Sequence, residues 1–127
     1  MLSSLLRRKA RVLVLDDDTS MQKLVATLLR REGYRVDVVS GGSQAIEHIT
    51  KTQYSALLLD VMTPTEGGLT VIRHLKKAKP ELLKRIVLVT ASPDSVLRGV
   101  ESDVFAIVRK PFKGPELVET IDRLIAG

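Results

Sequence analysis

Ala56-Leu57-Leu58-Leu59-Asp60-Val61-Met62-Thr63-Pro64 decides the fold: four apolar residues carry one carboxylate to their end, and a proline-marked turn follows. So short an apolar run, bounded by turn signals, is the pattern of a strand buried on both faces, as in a parallel sheet covered by helices. Asp60 then stands at the strand's carboxyl end. In open α/β sheets that edge gathers ligands and chemistry, because the loops leaving it converge without disturbing the core. Two further stretches repeat the arrangement: Val12-Leu13-Val14-Leu15 runs into Asp16-Asp17-Asp18, and Ile86-Val87-Leu88-Val89 runs into Thr90-Ala91-Ser92.

Outward from these runs, the pattern predicts a first strand over Arg11 to Leu15. The helix after it has Thr19 or Ser20 as N-cap, an inward face of Met21, Leu24, Val25, Leu28 and Leu29, and Gly33 as its stop. Tyr34 to Val39 alternates as a more exposed strand, and a second helix runs from Ser43 to Thr50. After the Asp60 strand, Gly67-Gly68 opens a third helix that Lys79-Pro80 closes. Arg85 to Val89 is the fourth strand, and a short polar helix begins near Pro93. Val104 to Val108 is the fifth strand, and Glu116 to Ile125 the last helix. Five strands alternating with five helices require right-handed crossovers and a mostly parallel, doubly wound α/β sheet. The least interrupted apolar runs put strands one, three and four at its centre, with Tyr34 to Val39 at an edge.

Composition narrows the class. At 127 residues and 44% hydrophobic, the chain is one globular domain, expected over 10–127 behind a basic leader at 1–9. It has no cysteine, which excludes disulfides, thiolate metal sites and cysteine nucleophiles. Nothing approaches the roughly 20 apolar residues of a membrane span, and the leader lacks a signal-peptide core, so the expectation is a cytoplasmic protein without membrane contact. The formal charge is +5, but the basic clusters are scattered and only two tyrosines and two phenylalanines could stack on bases, so direct nucleic-acid binding is not expected.

With those strands parallel, Asp16, Asp17, Asp60, Thr90 and Lys110 leave the sheet on one edge. Clustered carboxylates repel one another and suit a hard divalent cation such as Mg2+. Lys110 adds a positive charge that pairs with carboxylate or phosphate. A carboxylate beside a metal, an ammonium and a hydroxyl is equipped for phosphoryl transfer, with Asp60 as nucleophile because it stands alone at its strand end. Asp18 reads as a helix-cap or loop residue, and His48 and His74 as residues on polar helix faces.

The acidic pair Asp16-Asp17, Asp60 with Pro64 and Gly68 four and eight residues on, Thr90-Ala91, and Lys110-Pro111-Phe112 come in the order and spacing of one family. Over about residues 10 to 126 the chain resembles the receiver domain of two-component response regulators, the family of the chemotaxis response regulator. The resemblance implies a flavodoxin-like fold of strand order 2-1-3-4-5, and a signalling module rather than an enzyme. It implies phosphorylation of Asp60 by a sensor histidine kinase or histidine phosphotransfer protein, followed by slow self-catalysed hydrolysis. Mg2+ would be held by Asp17, Asp60 and the Met62 backbone carbonyl, with Asp16 acting through water. Thr90, the Ala91 amide and Lys110 would contact the phosphoryl oxygens. Output would go to a downstream effector or a fused output domain, with a phosphorylation-dependent dimer as one form.

Three positions depart from the family pattern. Thr63 replaces an apolar residue, Gly67 adds a second glycine, and Ile107 stands where a switch residue is usually tyrosine, phenylalanine or histidine. The stretch from Thr90 to Lys110 is about two residues short, which predicts a truncated fourth helix. Two rival readings are a degenerate receiver used as a constitutive interaction or dimerisation module, and a haloacid-dehalogenase-like phosphatase. The latter rests on Asp16-Asp17-Asp18-Thr19-Ser20, with Asp16 as nucleophile. The phosphorylated aspartate separates them.

Overall fold

Alternation within the strands assigns their side chains to two faces, and the helices follow. The computed structural model describes residues 2–61 and 67–127, so the expectations for Met62, Thr63 and Pro64 fall outside the described residues. The strands are β1 (Arg11–Leu15), β2 (Arg35–Val39), β3 (Ala56–Leu59), β4 (Ile86–Thr90) and β5 (Ala106–Arg109), all parallel, in the order β2-β1-β3-β4-β5. The helices are α1 (Ser4–Lys9), α2 (Thr19–Arg31), α3 (Gly42–Lys51), α4 (Gly68–Ala78), α5 (Asp94–Leu97) and α6 (Gly114–Ala126), with a 3-10 helix over Pro80–Arg85.

Each central strand splits its residues between two cores. Val12, Val14, Ala56, Leu58, Val87 and Val89 face α2 and α6. Leu13, Leu15, Leu57, Leu59, Ile86 and Leu88 face α3, α4 and α5. The smaller side chains thus lie under α2, which itself presents Ala26 beside Val25 and Leu29. Fully burying one such aliphatic side chain is worth about 1.5–3 kcal/mol, and the paired cores hold the sheet from both sides.

Several boundaries differ from the sequence reading. The N-cap of α2 is not Thr19 or Ser20 but Asp18, in line with its reading as a helix-cap or loop residue, and its carboxylate accepts the amide of Met21 at 3.1 Å. Leu24, expected inward, is 48% exposed, and Ala26 takes its place in the core. Gly33 ends α2 as expected: at φ +100° it allows the Gly33 amide to reach the Arg30 carbonyl and the Tyr34 amide the Leu29 carbonyl. β5 begins at Ala106, two residues later than expected. The helix after β4 has four residues, in keeping with the shortened stretch before Lys110. The basic leader is helical over Ser4–Lys9, capped by Ser3, whose hydroxyl accepts the amide of Leu6. Among the described residues no helix is long and apolar enough to cross a membrane.

Candidate functional site

Parallel register delivers the chemistry to one edge. Asp16 follows β1, with its amide donating to the Val39 carbonyl, and Asp60 follows β3, with its amide donating to the Leu15 carbonyl. Both aspartates are buried, while Asp17 is exposed at the mouth. A carboxylate oxygen from each of Asp16, Asp17 and Asp60 lies within 4.8 Å of the others.

Lys110, just after β5, joins the cluster from the other side. Its ammonium donates to Asp16 Oδ2 at 2.8 Å and to Asp60 Oδ2 at 2.9 Å. Burial by itself would lower the Lys110 pKa, but the hydrogen bonds and charges of Asp16 and Asp60 outweigh it and hold the pKa above its ordinary value. The ammonium therefore stays charged at neutral pH. One positive charge faces three carboxylates, which leaves the cluster short of positive charge.

The surrounding loops are pinned. Asp16 Oδ1 accepts the amide of Asp18 at 2.9 Å, so both Asp16 oxygens are engaged. The Gln22 side-chain amide donates to the Asp16 carbonyl and to the Ser40 hydroxyl, fastening the acidic loop to the end of β2. Asp17 has no hydrogen-bond or ion-pair partner among the described residues. An exposed, unpartnered carboxylate beside two buried ones, in a cluster with excess negative charge, fits a hard divalent cation that keeps part of its water. On the far side Gly68 starts α4 against the backbone of Asp60, donating its amide to the Asp60 carbonyl at 2.8 Å.

Thr90 ends β4, fully buried, and its hydroxyl pairs with the buried hydroxyl of Ser92 at 2.9 Å. Ala91 is exposed beyond it. Ile107 is half-buried, packed on the core beneath α3, α4 and α5. Asp16, Asp17, Asp60 and Lys110 are thus brought into one contact group, with Thr90 on the strand between β3 and β5. Gln22, Ser92 and Arg109 were missed by sequence reasoning. Ser92 and Arg109 adjoin predicted residues in the chain, but nothing in their spacing signals their contacts. His48 and His74 lie outside the cluster, on helices α3 and α4. A cavity of about 760 Å³ among α1, α2 and α6 includes none of the site residues in its lining.

Comparisons with known proteins agree with this architecture. The chain is 36% identical over 115 residues to the DNA-binding response regulator MtrA of Mycolicibacterium smegmatis, covering 89% of this chain and 49% of that protein. It therefore spans about half the length of the curated relatives it matches. Among solved structures, the response regulator TrrA of Thermotoga maritima in complex with Mg2+-BeF superposes with a TM-score of 0.81 at 30% identity, covering 91% of this chain and 98% of that one. A sensor protein from Polaromonas sp. JS666 gives a TM-score of 0.82 at 26% identity, covering 93% and 97%. The model of the response regulator receiver domain matches residues 12–122, from the second residue of β1 into the last turns of α6 and across every residue of the carboxylate cluster, and the chain belongs to that family.

Proposed function

We propose that Asp60 accepts a phosphoryl group from the phosphohistidine of a sensor histidine kinase or histidine phosphotransfer protein, and that the modified domain changes its binding to an effector or a fused output domain. The carrying observation is the Lys110 ammonium bridging Asp16 and Asp60 inside a cluster that still has excess negative charge. An oxygen of Asp60 attacks phosphorus, the P–N bond to the donor imidazole breaks, and the imidazole leaves with the bonding pair. Lys110 keeps its bond to Asp16 and turns its remaining donors to the new phosphoryl oxygens. Thr90 and the Ala91 amide supply further donors to those oxygens. Water later attacks the phosphorus, its bond to the Asp60 oxygen breaks, and inorganic phosphate leaves as the carboxylate is restored.

Asp17, Asp60 and, through water, Asp16 would hold Mg2+ together with the Met62 carbonyl. When bound there, Mg2+ would supply positive charge that offsets the negative charge of the phosphoryl oxygens. The complex of TrrA, a relative of the same fold, with Mg2+-BeF supports Mg2+ as the metal. A domain of this family is a signalling module, not a conventional enzyme, and a cytoplasmic site of action fits a cysteine-free chain. Membership of this family sets aside the phosphatase reading with Asp16 as nucleophile.

The test is treatment with a small phosphodonor and Mg2+, followed by peptide mapping. Phosphate is expected on Asp60, and Asp60→Asn should fold normally and take up none. Equal phosphate on Asp60→Asn, or modification mapped to Asp16, would refute the assignment.

A further inference from the structure

The contacts around Thr90 extend beyond what phosphoryl binding needs. Thr90 Oγ1 shares its 2.9 Å hydrogen bond with Ser92 Oγ and accepts the Ser92 amide at 3.2 Å. Ser92 is 1% exposed, so these groups have no solvent to replace a lost partner. The Ser92 carbonyl accepts Nη1 of Arg109 at 2.6 Å, and Nη2 of the same guanidinium is bonded to Asp94, the first residue of α5. Arg109 is the Cα partner of Thr90 across the β4–β5 ladder. Its side chain thus reaches from the neighbouring strand over the loop that leaves Thr90.

A threonine hydroxyl has one proton to donate. Turning Thr90 toward a phosphoryl group on Asp60 takes its oxygen away from the Ser92 amide and hydroxyl, which are then stranded inside the protein unless the loop follows. Such a movement would draw the Ser92 carbonyl away from Nη1 of Arg109, whose backbone is fixed in the β4–β5 ladder. Ile107, two residues earlier on β5, has no ring to carry the signal and is held against the core.

We propose that Arg109 is a positioning residue. Its clamp on Ser92 and Asp94 keeps Thr90 turned toward Ser92 in the unmodified protein, and release of that clamp transmits phosphorylation to α5. The proposal rests on the reading of Asp60 as phosphoacceptor. Asp94 is 80% exposed at its side chain, so its ion pair contributes little by itself. The bond to the Ser92 carbonyl, in a part-buried setting, carries the effect.

A clamp that favours the resting state must weaken binding of any ligand that selects the other state. The test is a titration of the whole chain with beryllofluoride and Mg2+, followed by amide NMR. Arg109→Ala is expected to bind about fivefold more tightly, the factor that corresponds to one net hydrogen bond of ~1 kcal/mol. Arg109→Lys, which can still reach the Ser92 carbonyl, should gain less, and Asp94→Asn should stay near wild type. In a Thr90→Ala background Arg109→Ala should have no effect, which a merely structural role for Arg109 would not produce. Equal or weaker binding by Arg109→Ala, or the same gain without the Thr90 hydroxyl, overturns the clamp alone. Failure of the wild-type chain to bind beryllofluoride overturns the phosphoacceptor reading and the clamp with it.

Discussion

Gly68 shows how closely the backbone is packed behind the phosphoacceptor. A Cβ there would lie 2.9 Å from the Asp60 carbonyl oxygen and 3.2 Å from Cβ of Leu59, and neither can swing away. The need is for space, and it lets the first amide of α4 reach the Asp60 carbonyl. Gly68→Ala should therefore push α4 off the end of β3 and cost about 1–3 kcal/mol, as overpacking does. Urea denaturation measures the loss. Beryllofluoride affinity should fall with it, because the displaced backbone carries Asp60. A variant of wild-type stability and affinity would mean that α4 shifts freely.

At the scale of elements, α1 depends on side-chain bonds rather than on packing. It is six residues long with no buried residue, too short to persist as an isolated helix. Arg7 holds it to α6 through Asp122, with Nη2–Oδ2 at 2.5 Å and Nε–Oδ1 at 3.1 Å, and Tyr34 donates its hydroxyl to the same carboxylate. Burial would raise the Asp122 pKa, but the bonds from Arg7 and Tyr34 outweigh it and hold the carboxyl below its ordinary value of 3.8. A depressed pKa gives stability that is present above the unfolded value and lost as pH falls through the folded one. Amide protection over Arg7 to Ala10 should accordingly hold at neutral pH and collapse below about pH 3.8. Asp122→Asn should lower that protection at neutral pH by roughly 1.5–3 kcal/mol and weaken its acid dependence, leaving the 3.5 Å pair of Arg7 with Glu32. Hydrogen exchange across a pH series checks both.

For the whole molecule, the carboxylate cluster couples metal to stability. A cation that binds only the folded chain adds RT ln(1 + [L]/Kd), so Mg2+ at ~10 Kd should contribute about 1.4 kcal/mol, roughly 4–6 °C in melting temperature. Asp17→Ala should abolish that shift and raise the melting temperature of the metal-free chain, because it removes one of three mutually repelling carboxylates. Thermal melts with and without Mg2+ distinguish these outcomes. A wild-type melt indifferent to Mg2+ would count against a metal at this cluster.

Local pattern alone determined much of this protein. Apolar runs ending in Asp16, Asp60 and Thr90 specify buried parallel strands with polar residues at one edge, and β1 covers the Arg11–Leu15 span read from its run. Gly33 stops α2 because the stop is a backbone property of one residue. The carboxylate cluster was legible for the same reason: strand ends in a parallel sheet share an edge, whatever packs on the faces. Tertiary structure decided the rest, wherever a residue's role depends on what lies opposite it. Leu24 and Ala26 flank the apolar stripe of α2, and the sheet and α6 select the alanine for the core. Asp18, Thr19 and Ser20 are all suitable caps, and the Asp18 amide's bond to the Asp16 carboxylate marks where the loop turns into helix. A leader with no apolar core became α1 because Arg7 meets Asp122, 115 residues away. Arg109 reaches Ser92 only because β5 lies beside β4, a long-range contact that no periodicity in the sequence encodes.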